Sequence, residues 1–113
     1  EAPSYGSSYG NSHERAGLWW SVYAHFAWDA KILAVPPRTR AKYITGNGNS
    51  GKDVVLAHAI EQYVHPGSPR ITNDNEADAV GLAAIGSRLL GSPVEPEWIT
   101  DNQREALLTL KLP

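Results

Sequence analysis

The spacing of apolar positions changes along the chain, and each change marks an element. Leu18, Trp19, Val22, Tyr23, Phe26 and Ala27 recur three and four residues apart, which predicts a helix over 12–30, with Asn11 and Glu14 as its capping box. The run KILAV at 31–35 lacks that spacing and stops at Pro36-Pro37, so it predicts a short buried strand whose ladder ends at the first proline. After the loop TGNGNSGKD at 45–53, where Ser50 is placed to cap against Asp53, the residues Val55, Leu56, Ala59, Ile60, Tyr63 and Val64 share one helical face. HPGSPR at 65–70 is a turn. A further helix begins near Asn73 and ends before Gly91 and Pro93, with Arg88 at the carboxyl end of its dipole. A last short helix over 101–110 is capped by Thr100 or Asp101. Residues 2–12, rich in Gly, Ser and Tyr, follow neither period and form a loop.

The start of the fourth of these segments, NDNEADAV at 73–80, breaks the apolar pattern. On a helix, Asp78, Leu82, Ile85 and Leu89 form one stripe that Asp74 extends by a turn, while Glu76 points away from it. Carboxylates one turn apart repel unless something positive lies between them, and a divalent cation answers that need. Helix initiation also favours acids here, and Asn73 with Glu76 matches a capping box.

Composition narrows the class. With 113 residues, 42% hydrophobic content and a mean hydropathy of -0.36, the chain has the size of one soluble domain. No run approaches the roughly 18 apolar residues of a membrane span. The lack of cysteine removes disulfides and thiolate zinc sites and suits a reducing compartment such as the cytoplasm. The net charge of -2 conceals an asymmetry. Residues 31–52 carry Lys31, Arg38, Arg40, Lys42 and Lys52 and no acid; residues 71–105 carry Asp74, Glu76, Asp78, Glu95, Glu97, Asp101 and Glu105 against Arg88 and Arg104. A basic stretch grips a polyanion and an acidic one holds cations, which suits a nucleic acid processed with metal ions; solvated faces produce the same blocks. GNGNSGK is not a nucleotide-binding P-loop, because Asp53 stands after Lys52 where that motif needs Ser or Thr. His13, His25, His58 and His65 lack the paired spacing of zinc ligands.

VPPRTRAKYITGNGNSGKDVV followed by NDNEADAVGLAA resembles the carboxyl-proximal half of the RuvC family of Holliday-junction resolvases, the phage-encoded members above all. The matching parts are a proline-basic segment from Pro37 to Lys42, a G-x-G-x-x-x-K loop with Gly46, Gly48 and Lys52, and an acidic helix from Asp74 to Ala79. EAPSYGS with ERAGLWW after it resembles the segment just past the family's second active-site glutamate, so the likeness runs over nearly the whole chain.

The resemblance implies an α/β, RNase H-like fold, here without its N-terminal strands and therefore mostly helical, with KILAV its clear strand, in a single nuclease domain over 1–113. The implied activity is structure-selective cleavage of Holliday junctions or other branched DNA by two-metal phosphodiester hydrolysis in a bacterial or phage-infected cytoplasm. Residue by residue, Glu1 corresponds to the family's strand-end carboxylate, Asp78 to the last helix carboxylate, and Lys52 to a lysine near the scissile phosphate. Arg38, Arg40 and Lys42 correspond to the basic segment that contacts DNA. Many relatives have a D-x-x-D pair where this sequence has Asn75, so either Asp74 takes the first position or Asn75 weakens it. Glu1, Asp74 and Asp78 are thus the expected ligands of Mg²⁺, with Mn²⁺ as its substitute. The family's first-strand aspartate is not among these residues, and KILAV has no strand partner in the sequence, so an additional segment or a second subunit is expected to supply both. The family's two-fold dimers imply a homodimer, with either Trp19 or Trp20 at the partner surface because neighbours in sequence cannot share a helical face. The rival reading is a non-catalytic DNA-binding or assembly module that keeps Arg38, Arg40, Lys42 and Lys52; an inert folding fragment is the third.

Overall fold

The prolines that follow KILAV open a helix. Pro37 is the first residue of α2 (Pro37–Thr45), where its missing N–H costs no intrahelical bond and its fixed φ suits the first turn. The computed structural model describes residues 12–95 and 99–111, which form five helices: α1 (Ser12–Phe26), α2, α3 (Lys52–Tyr63), α4 (Asp74–Leu89) and α5 (Asp101–Leu108). The described residues contain no strand, so the expected α/β, RNase H-like sheet is corrected to an all-helical arrangement. Residues 31–36 run as irregular chain, because a strand needs a laterally bonded neighbour and no other described segment supplies one. Among the described residues no helix is long and apolar enough to cross a membrane.

The described residues form two compact units, residues 12–37 with 110–111, and those between 38 and 109. In the first, α1 ends at Phe26, short of the expected boundary. Trp19 stacks on Tyr23 with ring centroids 5.4 Å apart, and Trp20 meets Trp19 edge-on at 4.8 Å. Ala16 and Val35 are buried, whereas Leu18, Trp20, Val22 and Phe26 are each about half exposed or more. The expected cap Asn11 lies outside the described residues.

The second unit is built on Ala41 and Ile44 of α2, Val55 and Ala59 of α3, Ile71, and Ala77 of α4, with Leu56, Tyr63, Val64 and Val80 packed around them. The expected face of α3 is largely the buried one. On α4 the buried residues are Ala77, Gly81, Ala84 and Ile85, while Leu89 is exposed, so the inward face keeps Ile85 of the expected stripe and is otherwise a row of small side chains. Close approach explains the smallness: a Cβ at Gly81 would meet Ile44, with its Cγ1 at 2.8 Å.

Local chemistry sets the helix ends. Asn73 Oδ1 accepts from the Glu76 amide at 2.9 Å, and the exposed Glu76 carboxylate accepts from the Thr72 amide and hydroxyl at 2.7 and 2.9 Å. Those bonds hold the Glu76 carboxyl below its usual range. Thr100 and Gln103 form a reciprocal capping box on α5, and Gln103 Nε2 also donates to the Tyr43 carbonyl at 2.8 Å, tying α5 to α2. Ser50 does not cap α3: its hydroxyl lies 2.7 Å from Thr45 Oγ1 and donates to the Asn47 carbonyl at 2.8 Å, while Gly51 takes the cap position.

A buried polar network completes the unit. Glu95, its side chain 1% exposed, accepts from the hydroxyls of Tyr43 and Tyr63, each at 2.7 Å, and from Arg88 Nη2 at 3.2 Å. Arg88 Nε also donates to the Tyr43 hydroxyl at 3.0 Å. Burial alone pushes the Glu95 carboxyl up, but these donors outweigh it and leave the group below its ordinary range. The same burial, with the neighbouring carboxylate, raises both tyrosines.

Candidate functional site

Arg40 and Ile44 stand one turn apart on α2, and both reach α4 at Gly81. The Arg40 stem passes 3.6 Å from the point a Gly81 Cβ would occupy, which carries its Nε to 3.2 Å from Asp78 Oδ1, one turn before that glycine. Lys52, the first residue of α3, places its Nζ 3.5 Å from Asp74 Oδ2. Two acids of the first turns of α4 therefore face two cations from neighbouring helices. Farther along α2, Lys42 Nζ donates to Glu105 Oε2 at 3.0 Å. Among the described residues the basic and acidic stretches, expected to serve separate ligands, meet each other in these three ion pairs.

The pairs differ in how firmly they are held. Arg40 and Asp78 have side chains 12% and 28% exposed, against 84% and 35% for Lys52 and Asp74. Burial raises the Asp78 carboxyl above its ordinary range; the charges of Arg40 and Lys52 oppose that shift and the charge of Asp74 adds to it. Burial likewise lowers the Arg40 guanidinium, with Asp78 restoring part of the loss. Of the two candidates for the first helix ligand, Asp74 is the one whose charge acts on Asp78, while Asn75 is exposed.

Arg38 sits exposed at the start of α2 against the glycine loop, where a Cβ at Gly48 would meet its Cγ at 2.7 Å and its carbonyl oxygen at 3.1 Å. Glu1 lies outside the described residues. Among the described residues no group of three or more His, Cys, Asp or Glu is placed to hold a metal. Asp74 and Asp78 fit Mg²⁺ or Mn²⁺ in kind, as partly exposed oxygen donors one turn apart, and fall short of a full octahedral set in number.

Sequence reasoning did not find the Tyr43–Tyr63–Arg88–Glu95 network. Tyr63 falls on the inward face of α3, but its partners come from three other segments, and Arg88 at the carboxyl end of α4 also suits the helix dipole, so no local pattern joins the four.

Over 56 residues the chain is 41% identical to the crossover junction endodeoxyribonuclease RuvC of Rickettsia bellii strain OSU 85-389, and equally to that of strain RML369-C. The similar stretch is 50% of this chain and 34% of each of those proteins, so the match spans about a third of the curated relatives' length. No family model matches the chain. No solved structure matches it. The relationship that these comparisons support is RuvC-like and covers half of the chain.

Proposed function

We propose that the chain belongs to a structure-selective endodeoxyribonuclease that cuts Holliday junctions or other branched DNA. The observation that carries this reading is the meeting of Asp74 and Asp78 with Lys52 and Arg40 at the start of α4, within a chain half of which is similar to proteins named RuvC. Lys52 is exposed at the amino end of α3, where no side chain caps the helix, so its ammonium and the free amides together favour a phosphate. Arg38 extends that positive surface along α2, and Lys42 joins it by exchanging Glu105 for the DNA backbone. Asp74 and Asp78, with Glu1, would hold Mg²⁺ or Mn²⁺, which when bound activates water and neutralises the leaving oxygen. Lys52 stabilises charge that develops on the phosphate. A second copy of the chain matches the two-fold symmetry of a four-way junction, and the setting is the cytoplasm of a bacterial or phage-infected bacterial cell.

The ion pairs favour a second reading, a DNA-binding or assembly module without catalysis, because acids already balanced by Arg40 and Lys52 require no metal. Junction affinity measured with and without neutralised acids separates the two. On the nuclease reading, full-length protein nicks a four-way junction in Mg²⁺, and Asp78→Asn abolishes nicking while binding persists. On the module reading, the junction stays intact and Asp74→Asn/Asp78→Asn protein keeps its salt-sensitive affinity.

A further inference from the structure

The charged side chains that bear on Asp78 come from three helices: Arg40 from α2, Lys52 from α3 and Asp74 from α4. Lys52 is the looser of the two cations, 84% exposed and 3.5 Å from Asp74, so water and salt compete readily for it. Arg40 is held differently. Its side chain is 12% exposed, its stem lies over the bare backbone of Gly81, and its Nε stands 3.2 Å from Asp78 Oδ1.

We propose that Arg40 is a built-in counter-ion that competes with a divalent cation for Asp78, so that metal binds tightly there only when the guanidinium withdraws. The argument is one of charge and place. A dication on Asp78 would stand within a few ångströms of a guanidinium that packing holds in position, and repulsion between like charges is poorly screened where little water reaches. The reverse holds as well: removing Arg40 leaves Asp78 and Asp74 with Lys52 as the remaining cation among the described residues, a deficit that a divalent ion fills. A guanidinium drawn off the carboxylate finds an equally good partner in a DNA phosphate, whose oxygens match its planar fork. Metal and DNA would then strengthen each other's binding, each favouring the withdrawn position of Arg40.

This inference rests on the nuclease reading for the identity of the cation, and the test separates the two. Free Mn²⁺ is followed by electron paramagnetic resonance in titrations of full-length wild type, Arg40→Met and Lys52→Met, each checked for helix content. Methionine keeps an unbranched apolar stem over Gly81 and removes the charge. Arg40→Met is expected to bind Mn²⁺ about tenfold more tightly than wild type or better, within the usual range of coupling between sites, and Lys52→Met to gain about twofold at most. In wild type, the Arg40 Nε–H resonance is expected to shift during a Mg²⁺ titration with the midpoint of metal binding, a readout that stands even if Arg40→Met does not fold. Equal Mn²⁺ affinity in wild type and folded Arg40→Met, or an Arg40 resonance unmoved while metal binds, overturns the proposal. Tighter Mn²⁺ binding by Arg40→Met with no junction cleavage keeps the counter-ion and rejects the nuclease; cleavage by wild type with unchanged Mn²⁺ affinity in Arg40→Met does the reverse.

Discussion

Arg40 Nε lies 3.2 Å from Asp78 Oδ1, joining a base of the α2 segment to an acid of α4 one turn before Gly81, where Ile44 and the Arg40 stem pack on that helix. The pair is an electrostatic clasp as well as part of the candidate site, so its removal has a cost in stability. Asp78→Asn is expected to lower unfolding free energy by about 1–2 kcal/mol in urea titration, a figure discounted from the cost of breaking fully buried pairs. Lys52→Met, which breaks an exposed contact, should change it by less than about 0.5 kcal/mol. Equal effects would show that burial does not distinguish the pairs.

Two glycines of α4 make a direct comparison. At Gly81 an added methyl would strike Ile44, whereas at Gly86 it meets nothing within 4 Å. Gly81→Ala should therefore destabilise by about 1–3 kcal/mol through overpacking. Gly86→Ala should stabilise by about 0.5–1 kcal/mol, because alanine is the better helix former. Thermal unfolding of the two variants reads both signs.

Glu95 sets an acid limit. Its carboxyl is depressed in the folded protein, so the folded state binds fewer protons than the unfolded one as pH falls. The stability it contributes is complete above the unfolded value of about 4.3 and is lost as pH drops through the folded value. Glu95→Gln should cost about 2–4 kcal/mol at neutral pH, since Arg88 loses its buried partner, and should flatten the decline of stability below pH about 4. Asp78 is shifted upward and contributes the opposite slope, but it is common to both proteins. A parallel acid limb in wild type and variant would contradict this account.

The glycine loop offers a further contrast. A Cβ at Gly48 would collide with Arg38, and one at Gly51 meets nothing within 4 Å. Gly48→Ala is expected to displace Arg38 and weaken junction binding about three- to tenfold, with a shallower salt dependence, as befits a lost phosphate contact. Gly51→Ala should leave both unchanged. Fluorescence anisotropy at two salt concentrations measures the difference.

What the sequence discloses here is local. The caps at Asn73 and Thr100 were legible because each is written within four residues, and the inward face of α3 because its period is sustained. KILAV misled because a short apolar run has no period to separate strand from irregular chain, and a proline that stops a ladder also starts a helix. The apolar stripe of α4 held at Ile85, which is buried, and failed at Leu89 for a tertiary reason: a close neighbour selects Ala77, Gly81 and Ala84 for burial beside Ile85 and leaves Leu89 outside. The acids at the head of α4 were conspicuous, whereas their partners Arg40 and Lys52 lie on other helices, where only the fold brings them near.

The most direct measurement is cleavage of a labelled four-way junction by the full-length protein in Mg²⁺, with Asp78→Asn alongside and binding of each protein recorded in parallel. The account predicts paired nicks with wild type and an intact but bound junction with Asp78→Asn. A junction that wild type binds and leaves whole in both Mg²⁺ and Mn²⁺, or one that Asp78→Asn cuts as fast as wild type, contradicts it.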